Sequence, residues 1–204
     1  MNCLILILFL LGAQLPAQAG NQVGNGGDAI VCGEKVFLLD YYEAKANDKI
    51  QIQLEKGKDH FEIAGKTVDR LEQHNPQLHK QYRRVLEKIG SRLRFIDNAN
   101  FRDVKDSFEL TIPKGCKLEQ LAIQRDEGGL RLIHISKSLW EKLSKEHQAG
   151  LLLHEIVYEH FLFLGETDSV KARKFNSFVS AKDFKTLPKE KYQKFVRSLK
   201  MPIY

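Results

Sequence analysis

Cysteine, tryptophan and methionine are scarce in this chain. It holds three Cys, two Met, one Trp and five Pro in 204 residues. A disulfide-dense miniature fold is therefore excluded, because one pair of thiols cannot replace a hydrophobic core. Apolar runs of membrane-spanning length are missing as well. The longest is Leu4 to Leu11, eight residues of Leu, Ile or Phe, whereas a span takes ~20. The sequence has no Gly-x-Ser-x-Gly turn of a serine hydrolase, no internal repeat and no nucleic-acid-binding motif.

The apolar run reads as the core of an export signal. Pro16 follows it, and Ala17-Gln18-Ala19 supplies small residues for cleavage before Gly20. The segment Met1-Asn2-Cys3 lacks the cation usual at the start of such signals. Residues 1–19 are thus expected to be a signal peptide, residues 20–28 a flexible Gly-rich N-terminus, and residues 29–204 a single globular domain. Periplasmic or secreted localisation follows. Cleavage leaves only Cys32 and Cys116, and two thiols in an oxidising compartment are expected to pair. The net charge is +6. Lys and Arg alternate with Asp and Glu along most of the chain, so a mixed-charge surface without a basic stripe is expected. No nucleic-acid partner and no stable membrane span in the mature chain are foreseen.

Several elements are legible in the pattern. Ile30, Val31, Val36, Phe37 and Leu38 flank a Gly33-Glu34 turn and predict a hairpin. Asp40 to Leu54 is ambiguous. Helical spacing begins at Thr67, and Asn75-Pro76 opens a helix carrying Leu78, Tyr82, Val85, Leu86 and Ile89. Arg94 to Ile96 and 108–112 read as extended. Leu118 to Gln124 and Leu130 to Ile135 read as paired strands. A short helix with Trp140 follows, then a helix from about Lys145 to Leu164 stopped by Gly165, a helix capped by Thr167 or Asp168, and one opened by Pro188. The expected class is α+β, helix-dominated with short antiparallel strands.

The helix Gln148 to Leu164 is apolar nearly all round, the mark of a buried helix. His154, Glu155, Glu159 and His160 then need partners, because an unpaired buried polar group costs ~1–3 kcal/mol. His154 is expected to bond a neighbour such as a backbone carbonyl, and Glu155 to bridge a cation such as Arg173. His60, His74, His79, His134 and His147 have no ligand spacing and are expected to be surface or incidental. Two metal ligands from one helix must lie one turn apart. The residue one turn after His154 is Tyr158, and His160 is on another side.

The segment His154-Glu155-Ile156-Val157-Tyr158 resembles the active-site helix of zincin metallopeptidases, and the order of elements around it is similar. The resemblance implies a zincin-like arrangement around a buried central helix, with His154 as a zinc ligand and Glu155 as the base that activates water. Tyr158 stands where the second histidine belongs. Glu166 or Asp168 matches the place of a third, acidic ligand. The pieces GNGGDAIVC, LLDYYEAK, CKLEQLAIQ and LLLHEIVYEH also resemble a family of uncharacterised exported proteins of predatory Gram-negative bacteria, which carries His-Glu-x-x-Tyr. That resemblance implies a periplasmic or extracellular setting and brings no activity. Two function classes result. The first is a non-catalytic zincin-like scaffold that binds an unknown envelope or extracellular partner, with no cofactor expected. The alternative is an atypical metal-dependent, peptidase-like hydrolase using zinc, His154 and Glu155, with Tyr158 as a further catalytic candidate.

Overall fold

The computed structural model describes residues 24–99, 101 and 111–203. The expected signal peptide and most of the extended segment 108–112 lie outside them. Seven strands and seven helices are described. In chain order they are β1 Gly24–Asn25, β2 Asp28–Cys32, β3 Lys35–Leu38, α1 Leu39–Ala46, α2 His60–Asp69, α3 Pro76–Arg92, β4 Leu93–Ile96, β5 Lys117–Gln120, β6 Ala122–Glu127, β7 Leu130–Ser136, α4 Lys137–Trp140, α5 Lys145–Phe163, α6 Val170–Val179 and α7 Lys189–Ser198. The α+β class is borne out. One sheet runs β1-β6-β7-β4 and the other β3-β2-β5. Most pairs are antiparallel, but β4 and β7 are parallel.

Local chemistry explains the boundaries. Asp59 caps α2, its carboxylate accepting from the Glu62 N–H at 2.9 Å while Glu62 reaches back to the Lys58 N–H at 2.7 Å. These two side-chain caps, a capping box shifted by one residue on its second bond, start the helix seven residues before Thr67, where the apolar spacing first becomes visible. Asn75 caps α3 by accepting from Leu78 N–H at 3.1 Å, with Pro76 in the first turn. The end of α5 is a Schellman motif: Gly165 has φ +88°, its N–H bonds Leu162 O, and Glu166 N–H bonds Phe161 O, both at 3.0 Å.

The predicted strand Leu118–Gln124 is in fact two. Leu121 separates β5, which pairs with β2, from β6, which pairs with β7. The break is made by the N-terminal segment. Gly27 O accepts from Leu121 N–H at 3.0 Å and Ala122 N–H at 2.9 Å. A side chain at Gly26 would put its Cβ 2.2 Å from Ala122 O. The part of the expected flexible N-terminus that is described, Gly24–Asp28, is therefore a paired strap at the junction of the two sheets. Its glycines serve close backbone approach there.

The expected Cys32–Cys116 disulfide is present and joins the neighbouring ends of β2 and β5. Closing so long a loop stabilises the fold by roughly 4 kcal/mol in the chain-entropy account. The core is built around α5. Ala149, Leu151, Leu152, Tyr158 and Phe161 are fully buried there, among side chains from the flanking helices and sheets. Among the described residues no helix is long and apolar enough to cross a membrane.

Candidate functional site

α5 carries His154 and Glu155 into the interior, where both side chains are fully buried. Being consecutive, they point about 100° apart and meet different elements.

His154 faces α1 and α6. Its Nδ1 lies 3.1 and 2.9 Å from the two carboxylate oxygens of Asp40. Asp40 also accepts from Asn176 Nδ2 at 2.6 Å, and its backbone oxygen accepts from Ser177 Oγ at 2.8 Å. Asn176 Nδ2 donates as well to Gly150 O at 3.0 Å, tying α6 to α5. Burial opposes charge on both members of the pair. Their mutual attraction and hydrogen bond outweigh it, so Asp40 is held below the ordinary carboxylate range and His154 is raised to about 9. The pair is an imidazolium and a carboxylate at neutral pH.

Glu155 faces the sheet junction. Oε1 accepts from Gly27 N–H at 3.0 Å. Oε2 accepts from Gln124 Nε2 at 2.8 Å, and the same amide reaches the Glu155 backbone oxygen at 2.9 Å. Burial pushes this carboxyl up, and the nearby charge of His154 and the two donors offset that only in part. Both oxygens are thus spent on holding the strap and β6 against α5. Gly27 sits so close that a Cβ there would lie 2.3 Å from Leu151 Cδ1 and 3.6 Å from Glu155 Oε1.

Tyr158 is also fully buried, its ring centroid 6.0 Å from that of His154. His154, Glu155 and Tyr158 are thus brought together, but the remaining candidates are not placed with them. Glu166 pairs with Lys171, and the Asp168 carboxylate accepts from Val170 N–H at 3.1 Å. Arg173, the cation named for Glu155, donates through Nε to Glu43 at 2.8 Å and through a terminal nitrogen to Ser169 Oγ at 2.7 Å.

Two of the histidines expected at the surface or without a role have internal ones. His74 is buried and stacks on Tyr192 with centroids 4.9 Å apart. His147 Nδ1 accepts from Leu38 N–H at 2.9 Å, and burial lowers its proton affinity. His160 Nδ1 is 2.9 Å from the Tyr82 hydroxyl.

The residues present do not fit a His-Glu-x-x-His zinc centre. A phenol holds the second position, and the carboxylate expected to act on water already accepts two protein donors. Among the described residues no three His, Cys, Asp or Glu side chains converge on one point. His154 Nε2 is the one histidine atom of this cluster without a hydrogen-bond partner among them.

Asp40, Asn176, Gln124 and Gly27 complete the cluster and were not foreseen. A buried imidazole signals that an acceptor is needed, but Asp40 lies 114 residues away and no spacing rule points to it. Two surface clefts are described, one of about 440 Å³ beside Cys116 and one of about 570 Å³ along α3; neither is lined by His154 or Glu155. In comparisons with protein-family models, curated proteins and solved structures, nothing matches the chain.

Proposed function

We propose that this is an exported, non-catalytic protein that binds an envelope or extracellular partner, with His154 and Glu155 serving as a folding knot on a zincin-like scaffold. The observation that carries the reading is the internal use of both Glu155 oxygens, by Gly27 N–H and Gln124 Nε2. Each oxygen accepts one protein donor and the side chain is fully buried, so this carboxylate holds two elements together and is kept from bulk water. The Cys32–Cys116 bridge fits an oxidising compartment.

The rival reading is an atypical metal-dependent hydrolase. Its support is His154 itself, whose Nδ1 is fixed by a carboxylate while Nε2 has no partner. Metal-binding imidazoles are commonly oriented in this way. Against it stands the charge on His154, since an imidazolium has no lone pair to offer.

The test is elemental analysis of the purified mature protein, with a panel of peptide and cell-wall substrates assayed with and without chelator. Zinc well below one per chain and no chelator-sensitive turnover are expected. One zinc per chain that disappears in His154→Ala, or turnover lost in Glu155→Gln with the fold intact, would overturn the proposal.

A further inference from the structure

The expected even mixing of charge fails in the last part of the chain. Ser169 to Tyr204 holds ten Lys and Arg against two Asp and Glu, a net of +8. The rest of the chain holds twenty-two against twenty-four, a net of −2. The positive balance of the whole protein therefore resides in α6, α7 and their connection.

Three of the ten cations are engaged: Lys171 with Glu166, Arg173 with Glu43, and Lys185 with Glu55. The other seven are exposed and have no ion pair among the described residues. Four of these, Lys191, Lys194, Arg197 and Lys200, recur at every third position along α7 and its end. Steps of three residues turn by about 60° each on a helix, so Lys191, Lys194 and Arg197 wrap gradually over its solvent side, and Lys200 follows just past the helix end.

The opposite side of α7 is spent on the core. Tyr192 and Val196 are fully buried, Leu199 is nearly so, and Phe195 stacks on Phe178 at 3.8 Å. No ring of α7 is left as a platform for stacked bases, the usual device for single-stranded nucleic acid. No apolar stripe is left to sink between acyl chains either. The face offers a dense set of exposed ammonium and guanidinium groups without shape-specific partners, which suits a surface of dispersed phosphates.

We propose that the cationic face of α7 docks the protein peripherally on membranes rich in anionic phospholipid headgroups. This deepens the reading of the chain as an exported binding protein by naming a partner chemistry. The zinc and turnover assays judge that reading separately, so either can fail without the other.

The experiment is sedimentation of the mature protein with vesicles of phosphatidylcholine alone or with about a third phosphatidylglycerol, a composition chosen to carry roughly the charge density of an anionic leaflet. Wild-type protein is expected on the anionic vesicles only, with release as salt rises and screening sets in. Each cation near such a surface is worth roughly a factor of five. Lys191→Gln/Lys194→Gln/Arg197→Gln/Lys200→Gln should therefore bind several-hundred-fold more weakly. A control with the same charge removed elsewhere, Lys35→Gln/Lys45→Gln/Lys88→Gln/Lys114→Gln, should lose at most a few-fold. Equal binding to neutral vesicles, or an equal loss in the control, would overturn the proposal. Tighter binding to duplex DNA than to anionic vesicles at the same salt would overturn it in favour of a nucleic-acid partner.

Discussion

His154 and Glu155 are neighbours on one helix and equally buried, yet the interior treats them in opposite ways. On the His154 side the protein supplies a full counter-charge, Asp40, and strengthens it with Asn176. The ion pair persists because attraction at contact distance exceeds the cost of burying both charges. On the Glu155 side it supplies only neutral donors, Gly27 N–H and Gln124 Nε2, and the carboxyl's proton affinity rises. One side joins helix to helix through charge; the other joins helix to sheet through hydrogen bonds. Burial alone therefore does not decide whether an ionisable group stays charged; the partner across the gap decides it.

The largest effect is expected from Asp40→Asn. It removes the counter-charge while keeping shape, and breaking a buried pair on one side costs about 3–5 kcal/mol. Urea unfolding reads this directly, and a loss under about 1 kcal/mol would mean that His154 is neutral in the folded protein.

The pH dependence comes next. His154 binds its proton more tightly folded, at about 9, than unfolded, near 6.5. Its contribution, about 3 kcal/mol at 1.36 kcal/mol per pH unit, is complete below pH ~6.5 and fades as pH rises through about 9. Asp40 is lowered on folding, so its contribution is present above the unfolded value and is lost as pH falls through the folded one. Thermal melts should show a loss of stability between pH ~6.5 and ~9 that is absent in Asp40→Asn.

Gly27→Ala tests the other side by steric means. The added Cβ meets Leu151 Cδ1 at 2.3 Å, and overpacking of this kind costs about 1–3 kcal/mol. Hydrogen exchange should show faster opening at Gly27 and Ala122 than at Asn176. Glu155→Gln is expected to be the mildest change, about 1–2 kcal/mol, because an amide retains one acceptor and loses one. A loss equal to that of Asp40→Asn would erase the distinction between the two sides.

The central helix was legible because apolar residues cover its whole circumference. The disulfide was legible because only two thiols remain after the expected cleavage. Turn and cap residues located the Gly33 hairpin and the start of α3. The partners of the buried pair were not legible, because Asp40 lies in a stretch whose apolar residues fit either period. The strap was misread because glycine richness signals freedom in a chain and close approach in a packed junction, and only the packed structure tells them apart. The split at Leu121 follows from that same strap. The C-terminal charge was legible as a running sum, but the alternating signs before Ser169 draw the eye away from it.

The charged state of His154 is the central claim, and ¹⁵N NMR of the imidazole at pH 7.5 tests it most directly. Protons on both ring nitrogens, lost only as pH approaches about 9, are the expected result. A neutral ring at pH 7.5 with a bare Nε2 would contradict the account, because that nitrogen would then be free to hold a metal.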